Sequence, residues 1–148
     1  MTHEQYMTEA LRLAEEAAAQ GEVPVGCVIV DGAGKIIGRG RNRREADRQA
    51  TAHAEILAIA EACRAMGDWR LSSCSLYVTL EPCPMCAGAI VNARIGKVFY
   101  GAKDSTLGAC GSVLNLFLER FGHEPQLRGG ILEEACGALM TGFFRTLR

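Results

Sequence analysis

Two short runs constrain this chain more than anything else in it: His53-Ala54-Glu55 and Pro82-Cys83-Pro84-Met85-Cys86. Each falls where a helix begins. The first follows a polar loop from Arg41 to Ala50 and opens a helix over Ala52–Met66, with Thr51 as the expected N-cap and Gly67 at its end. The second follows a strand, Leu76–Leu80, and opens a helix running to about Ala93, with its prolines tolerated in the first turn.

The rest of the chain alternates in the same way. Thr2–Gln20 reads as a helix, with Tyr6 or Met7, Ala10 or Leu11, Ala14, and Ala17 or Ala18 at helical spacing and Gly21 as the stop. Val25–Val30 is a continuous apolar run rich in β-branched residues, the signature of a buried strand. Asp31-Gly32-Ala33-Gly34 turns it back into Lys35–Gly40 as a hairpin. A strand over Lys97–Gly101, a short helix near Val113–Phe117 and a weak strand over Gln126–Ile131 come next. The terminal helix, Leu132–Thr146, carries Leu139, Met140, Phe143 and Phe144 as its apolar residues. Strands alternating with helices predict an α/β fold, a sheet covered by helices on both faces. With no repeat, linker or low-complexity tract, residues 1–148 are expected to form one domain.

Composition excludes several classes. A chain of 148 residues, 49% hydrophobic and 22% charged, has the balance of a soluble globular protein. Its apolar stretches are too short to cross a bilayer, and Met1-Thr2-His3-Glu4-Gln5-Tyr6 does not read as a signal peptide, so a cytoplasmic protein without a membrane role is expected. Seven cysteines would suggest disulfides in a secreted protein. Here metal binding, catalysis or core packing are the expected uses. A net charge of −1 argues against indiscriminate binding to nucleic acid, yet leaves room for a local basic footprint.

Cys83 and Cys86 are three apart, so on a first helical turn their sulfurs point the same way, and the helix N-terminus favours thiolates. That suits two ligands of one tetrahedral Zn2+, and His53 supplies a third. Three protein ligands leave a position for water, whose pKa a catalytic zinc lowers to about 7. Glu55, two residues after His53, is near enough to carry that water's proton without being a ligand. Taken alone, the cysteine pair would equally suit a redox dithiol or half of a structural zinc site. The histidine and glutamate together favour catalysis. Cys27, Cys63, Cys74, Cys110 and Cys136 stand apart and are expected to pack as small apolar side chains.

These runs match the His-x-Glu … Pro-Cys-x-x-Cys signature of the cytidine deaminase-like superfamily. Within it the chain most resembles the bacterial tRNA-specific adenosine deaminases, through Glu22-Val23-Pro24-Val25-Gly26, Asn42-Arg43, Thr51 to Ile56, Leu76 to Cys83, Met85 to Ala89, Gly101-Ala102-Lys103-Asp104, Gly111-Ser112 and Phe143-Phe144-Arg145. The resemblance implies a three-layer α/β/α sandwich around a five-stranded mixed sheet, a homodimer, one Zn2+ per subunit, and conversion of adenosine to inosine at the wobble position of an anticodon loop, with an arginine tRNA as the expected partner. It puts the zinc on His53, Cys83 and Cys86 and the proton shuttle on Glu55. It further implies a base contact at Asn42, a pocket wall at Pro24-Val25, a ribose-side carboxylate at Asp104, and an RNA-touching patch at Phe143, Phe144 and Arg145. The chain departs from the family pattern at Ala50, where a proline is common, and at Ser105-Thr106-Leu107 after Asp104, which lack the basic residue often seen there.

The residues themselves leave the substrate more open. Asn42 has the donor and acceptor to read a base edge, or it is simply a turn-forming asparagine. Arg39, Arg41, Arg43, Arg44, Arg94, Lys97 and Lys103 either follow a phosphate backbone or are solvated, with Glu45 and Asp47 neutralising part of the loop. Phe143 and Phe144 either stack on bases or pack in the core, and Arg145 and Arg148 add charge beside them. A deaminase of a free base or nucleotide, such as cytosine, guanine or deoxycytidylate, would share every metal residue. A non-catalytic zinc- or RNA-binding module would not need Glu55.

Overall fold

The computed structural model describes residues 1–147. In chain order the elements are α1 (His3–Ala19), β1 (Gly26–Val30), β2 (Ile36–Arg41), α2 (Ala54–Met66), β3 (Ser75–Leu80), α3 (Pro84–Asn92), β4 (Lys97–Ala102), a 3-10 turn at Leu116–Leu118, β5 (Gln126–Arg128) and α4 (Glu133–Thr146). The sheet runs β2-β1-β3-β4-β5. β1 is antiparallel to both its neighbours, whereas β3, β4 and β5 run parallel. Connections explain the mixture. The tight turn after β1, where Asp31 Oδ1 accepts the N–H groups of Ala33 (2.9 Å) and Lys35 (3.0 Å), forces an antiparallel return, while α3 provides the crossover a parallel pair needs.

All of β1 is buried. Its side chains alternate between two cores: Cys27 and Ile29 join Ala58, Leu76, Val78, Ile90 and Val98 on the face covered by α2 and α3, while Val28 and Val30 join Met7, Tyr77 and Phe99 beneath α1. With α4 beside α1, helices cover both faces and the expected three-layer sandwich is present.

One contact sets the height of the site. α2 lies on β2 through Ala54, Ala58 and Ala62, all fully buried, opposite Gly38 and Gly40. A Cβ at Gly40 would overlap the carbonyl of Ala54, and one at Gly38 the carbonyl of Ala58. Only glycine permits so close an approach, and Ala54 is the residue between His53 and Glu55.

Several boundaries differ from expectation. α2 begins at Ala54, two residues late, and Thr51 is not its N-cap. His53 is, and the Ala54 N–H is taken by Asn42 Oδ1 (3.0 Å), while the Ala52 N–H goes to the Gln49 carbonyl (3.1 Å) in a preceding turn. The last strand stops at Arg128 instead of Ile131: a Cβ at Gly129 would overlap the Tyr100 ring, and Gly130 turns at φ +89°. The short helix is a 3-10 turn over Leu116–Leu118, capped by Asn115. On α4 it is Cys136 that enters the core; Leu139, Met140 and Phe143 are half-buried and Phe144 is exposed. Cys27, Cys74, Cys110 and Cys136 are buried free thiols, as expected, and Cys63 is half-buried against the core.

Candidate active site

His53 and Cys83 are the N-cap residues of α2 and α3, and neither side chain caps its own helix. Both are therefore free to turn toward each other, and Cys86 joins them from the first turn of α3. His53 Nδ1 lies 3.7 Å from Cys83 Sγ and 3.6 Å from Cys86 Sγ. A tetrahedral zinc with N and S ligands at about 2.1 and 2.3 Å would place those atoms about 3.6 Å apart, so the three side chains fit the ion without rearrangement. Among the described residues this metal-competent group has three members, with all ligand atoms within 4.8 Å of one another.

The close contact of the three groups shifts each of them. The hydrogen bond from Cys86, opposed by burial and aided by His53, brings the Cys83 thiol down to about 4, and the same contact together with burial drives Cys86 up. His53 is raised, first by its contact with Cys83. Glu55, 4% exposed, is the second residue of α2 and lies beside the Cys86 sulfur, and burial pushes its carboxyl up to about 7.

His53, Glu55 and Cys83 line a cavity of about 770 Å³, within the range of small-molecule sites. Of the residues expected to meet substrate, Val25, Asn42, Asp104 and Phe144 line it along with His53, Glu55 and Cys83. Arg145 does not; it borders a smaller adjoining groove with Met140, Thr141 and Phe144. Arg148 lies outside the described residues. Asn42 is more than a loop residue: its Nδ2 donates to the Val23 carbonyl (3.1 Å) and its Oδ1 holds the start of α2. Asp104 Oδ1 accepts the N–H groups of Thr106 (3.0 Å) and Leu107 (3.1 Å), shaping the opposite rim. Among the basic residues, Arg41 turns to Glu16 (2.8 Å) and Arg43 to Asp47 (3.0 Å), so of the arginines in this loop only Arg44 lines the cavity, which Lys103 also lines.

Two cavity residues were passed over at the sequence level. Glu22 and Glu81, each 2% exposed, occur in the motif runs but carried no assigned role. A glutamate at the end of an apolar strand, as in Val78-Thr79-Leu80-Glu81, is the signal that was available: buried carboxylates require several donors.

A trio that can hold a metal, with a buried carboxyl beside it, is the arrangement of a hydrolytic deaminase when set at the helix starts of this α/β/α sandwich. The chain belongs to the MafB19-like deaminase family, whose model matches residues 1–148. It is 51% identical over 146 residues to the tRNA-specific adenosine deaminase of Bacillus subtilis (strain 168), covering 98% of this chain and 90% of the relative. Among solved structures it resembles one from biochemical and structural studies of A-to-I editing by tRNA:A34 deaminases at the wobble position of transfer RNA, with 42% identity, a TM-score of 0.87, and 91% and 98% of the two chains covered. It also resembles the guanine deaminase of Bacillus subtilis, with 45% identity, a TM-score of 0.66, and 70% and 66% coverage. Among the described residues no helix is long and apolar enough to cross a membrane.

Proposed function

We propose that this chain, as one deaminase domain over residues 1–148, hydrolyses adenosine to inosine and ammonia at the wobble position of a tRNA anticodon loop. What carries the proposal is the convergence of His53, Cys83 and Cys86 beside buried Glu55, in a chain 51% identical to a tRNA-specific adenosine deaminase. His53, Cys83 and Cys86 would hold one Zn2+ per subunit, which supplies a water acidic enough to attack at neutral pH. Glu55 takes the proton of the attacking water and delivers it to N1 of the adenine; it then passes the proton of the newly added C6 hydroxyl to the exocyclic nitrogen, so that the C6 carbonyl forms as the C–N bond breaks and ammonia leaves.

Asn42 keeps one N–H and one lone pair beyond its two internal hydrogen bonds, enough to fix the edge of the base. Val25 walls the base and Asp104 stands on the ribose side. An anticodon loop presents unstacked bases, so the adenine reaches the cavity floor without opening a stem. Phe144 and Arg145 meet the loop's neighbouring bases and phosphates, supported by the 47% exposure of Phe144 at the cavity mouth. The resemblance further implies an arginine tRNA, a cytoplasmic setting and a homodimer. Exposed Val113, Leu114, Leu118 and Phe121 supply the apolar surface a dimer would cover. Sedimentation showing a stable monomer would count against the dimer.

The likeness to a guanine deaminase favours a free base as the second substrate class. The deciding assay places the zinc-loaded protein with an anticodon stem-loop bearing wobble adenosine, beside free adenosine, cytidine and guanine. Inosine from the stem-loop alone is expected. Turnover of a free base with none on RNA would keep the chemistry and transfer the substrate to the second class.

A further inference from the structure

Glu22 and Glu81 are buried carboxylates that the chemistry does not use, and each holds one rim of the cavity. Glu81 directly follows β3, on the way to Cys83. Its Oε1 accepts the Asp104 N–H (3.1 Å) and the Ser112 hydroxyl, and its Oε2 accepts the N–H groups of Cys110 (3.0 Å) and Ser112 (3.1 Å). The loop wraps so tightly that a Cβ at Gly108 would overlap the Glu81 carboxyl. On the other side, Glu22 Oε1 accepts the Glu45 N–H (3.1 Å) and Oε2 the Ala46 N–H (2.8 Å). Glu22 thereby fixes the loop that carries Asn42 and Arg44. Neither carboxylate forms an ion pair with a cation among the described residues. Backbone amides, with the Ser112 hydroxyl, are their partners.

We infer that Glu22 and Glu81 are positioning residues for substrate, each pinning one rim loop by its backbone so that both rims are ordered before RNA arrives. This rests on the stem-loop as substrate. Ordering a loop during binding lowers affinity, so rims fixed in advance show themselves in KM more than in kcat. The carboxylate is the group the geometry demands. An amide in its place offers fewer lone pairs and turns N–H donors toward other N–H donors.

The test is Glu22→Gln and Glu81→Gln, made separately and loaded with zinc, with amide hydrogen exchange and stem-loop kinetics measured on each. Loss of amide protection is expected at Glu45 and Ala46 only in Glu22→Gln, and at Asp104, Cys110 and Ser112 only in Glu81→Gln. KM for the stem-loop should rise about tenfold, kcat should change far less, and metal content should stay at one per chain. Ser112→Ala, which removes a single hydroxyl donor, should shift KM in the same direction by less and guards against a Glu81→Gln that fails to fold. Retained protection in the variants, or exposed amides with an unchanged KM, overturns the inference. If the wild type itself makes no inosine from the stem-loop, the substrate proposal falls, and amide protection alone then decides whether the rims are pinned.

Discussion

Asn42 does three things from one side chain. It ties the segment before β1 through Val23, receives the first N–H of α2, and faces the cavity. The position was legible as a family match, whereas the capping role was hidden because its partner lies 12 residues away along the chain. Thr51, adjacent in sequence, looked like the better cap and is occupied with Gln49 instead. Asn42→Ala should lower stability by about 1 kcal/mol in urea denaturation, the usual loss for a helix cap, in addition to any loss of turnover. Glu55→Ala should keep its zinc by elemental analysis and lose at least about a hundredfold in inosine formation. Loss of zinc along with turnover would defeat the shuttle assignment. The grouping of His53, Cys83 and Cys86 near Glu55 was legible because it follows from residue type and from where the two motifs open helices. Glu22 and Glu81 were not, since their partners are mainly backbone amides at 23 or more residues' separation and backbone amides have no sequence signature.

At the scale of elements, the seat of α2 on β2 depends on glycines that offer no chemistry of their own. Gly40→Ala should cost about 2 kcal/mol of stability, as overpacked contacts do, and should weaken zinc binding in a competition titration, because Ala54 is pushed outward between His53 and Glu55. Undiminished zinc affinity in a destabilised protein would separate the packing from the site. α4 predicts the reverse. Phe144 is half exposed and outside the core, so Phe144→Ala should leave stability within about 0.5 kcal/mol while raising KM for the stem-loop. The long helices and inner strands were legible from periodicity. β5 was not delimited, because it ends where Gly129 meets the Tyr100 ring, a contact that only the folded sheet creates.

For the whole molecule, the parallel pair β3–β4 delivers Glu81, Cys83 and the Lys103–Ser112 loop to one end of the sheet, and the antiparallel hairpin brings Asn42 to the same end. Nothing in a one-dimensional pattern orders strands, so this convergence came from resemblance and not from periodicity. Chelation should lower the melting temperature of the zinc-loaded protein, with recovery on adding Zn2+ back. An unchanged melting temperature would mean that the site contributes nothing to folding. The size of the effect follows from where His53 and Cys83 sit, 30 residues apart at the starts of two helices. An ion joining them is a cross-link, and by the chain-entropy relation a ring of that size removes roughly 3–4 kcal/mol of freedom from the unfolded polypeptide. Zinc supply would then govern how long each molecule survives as well as how fast it works. Pulse proteolysis should digest the stripped form first.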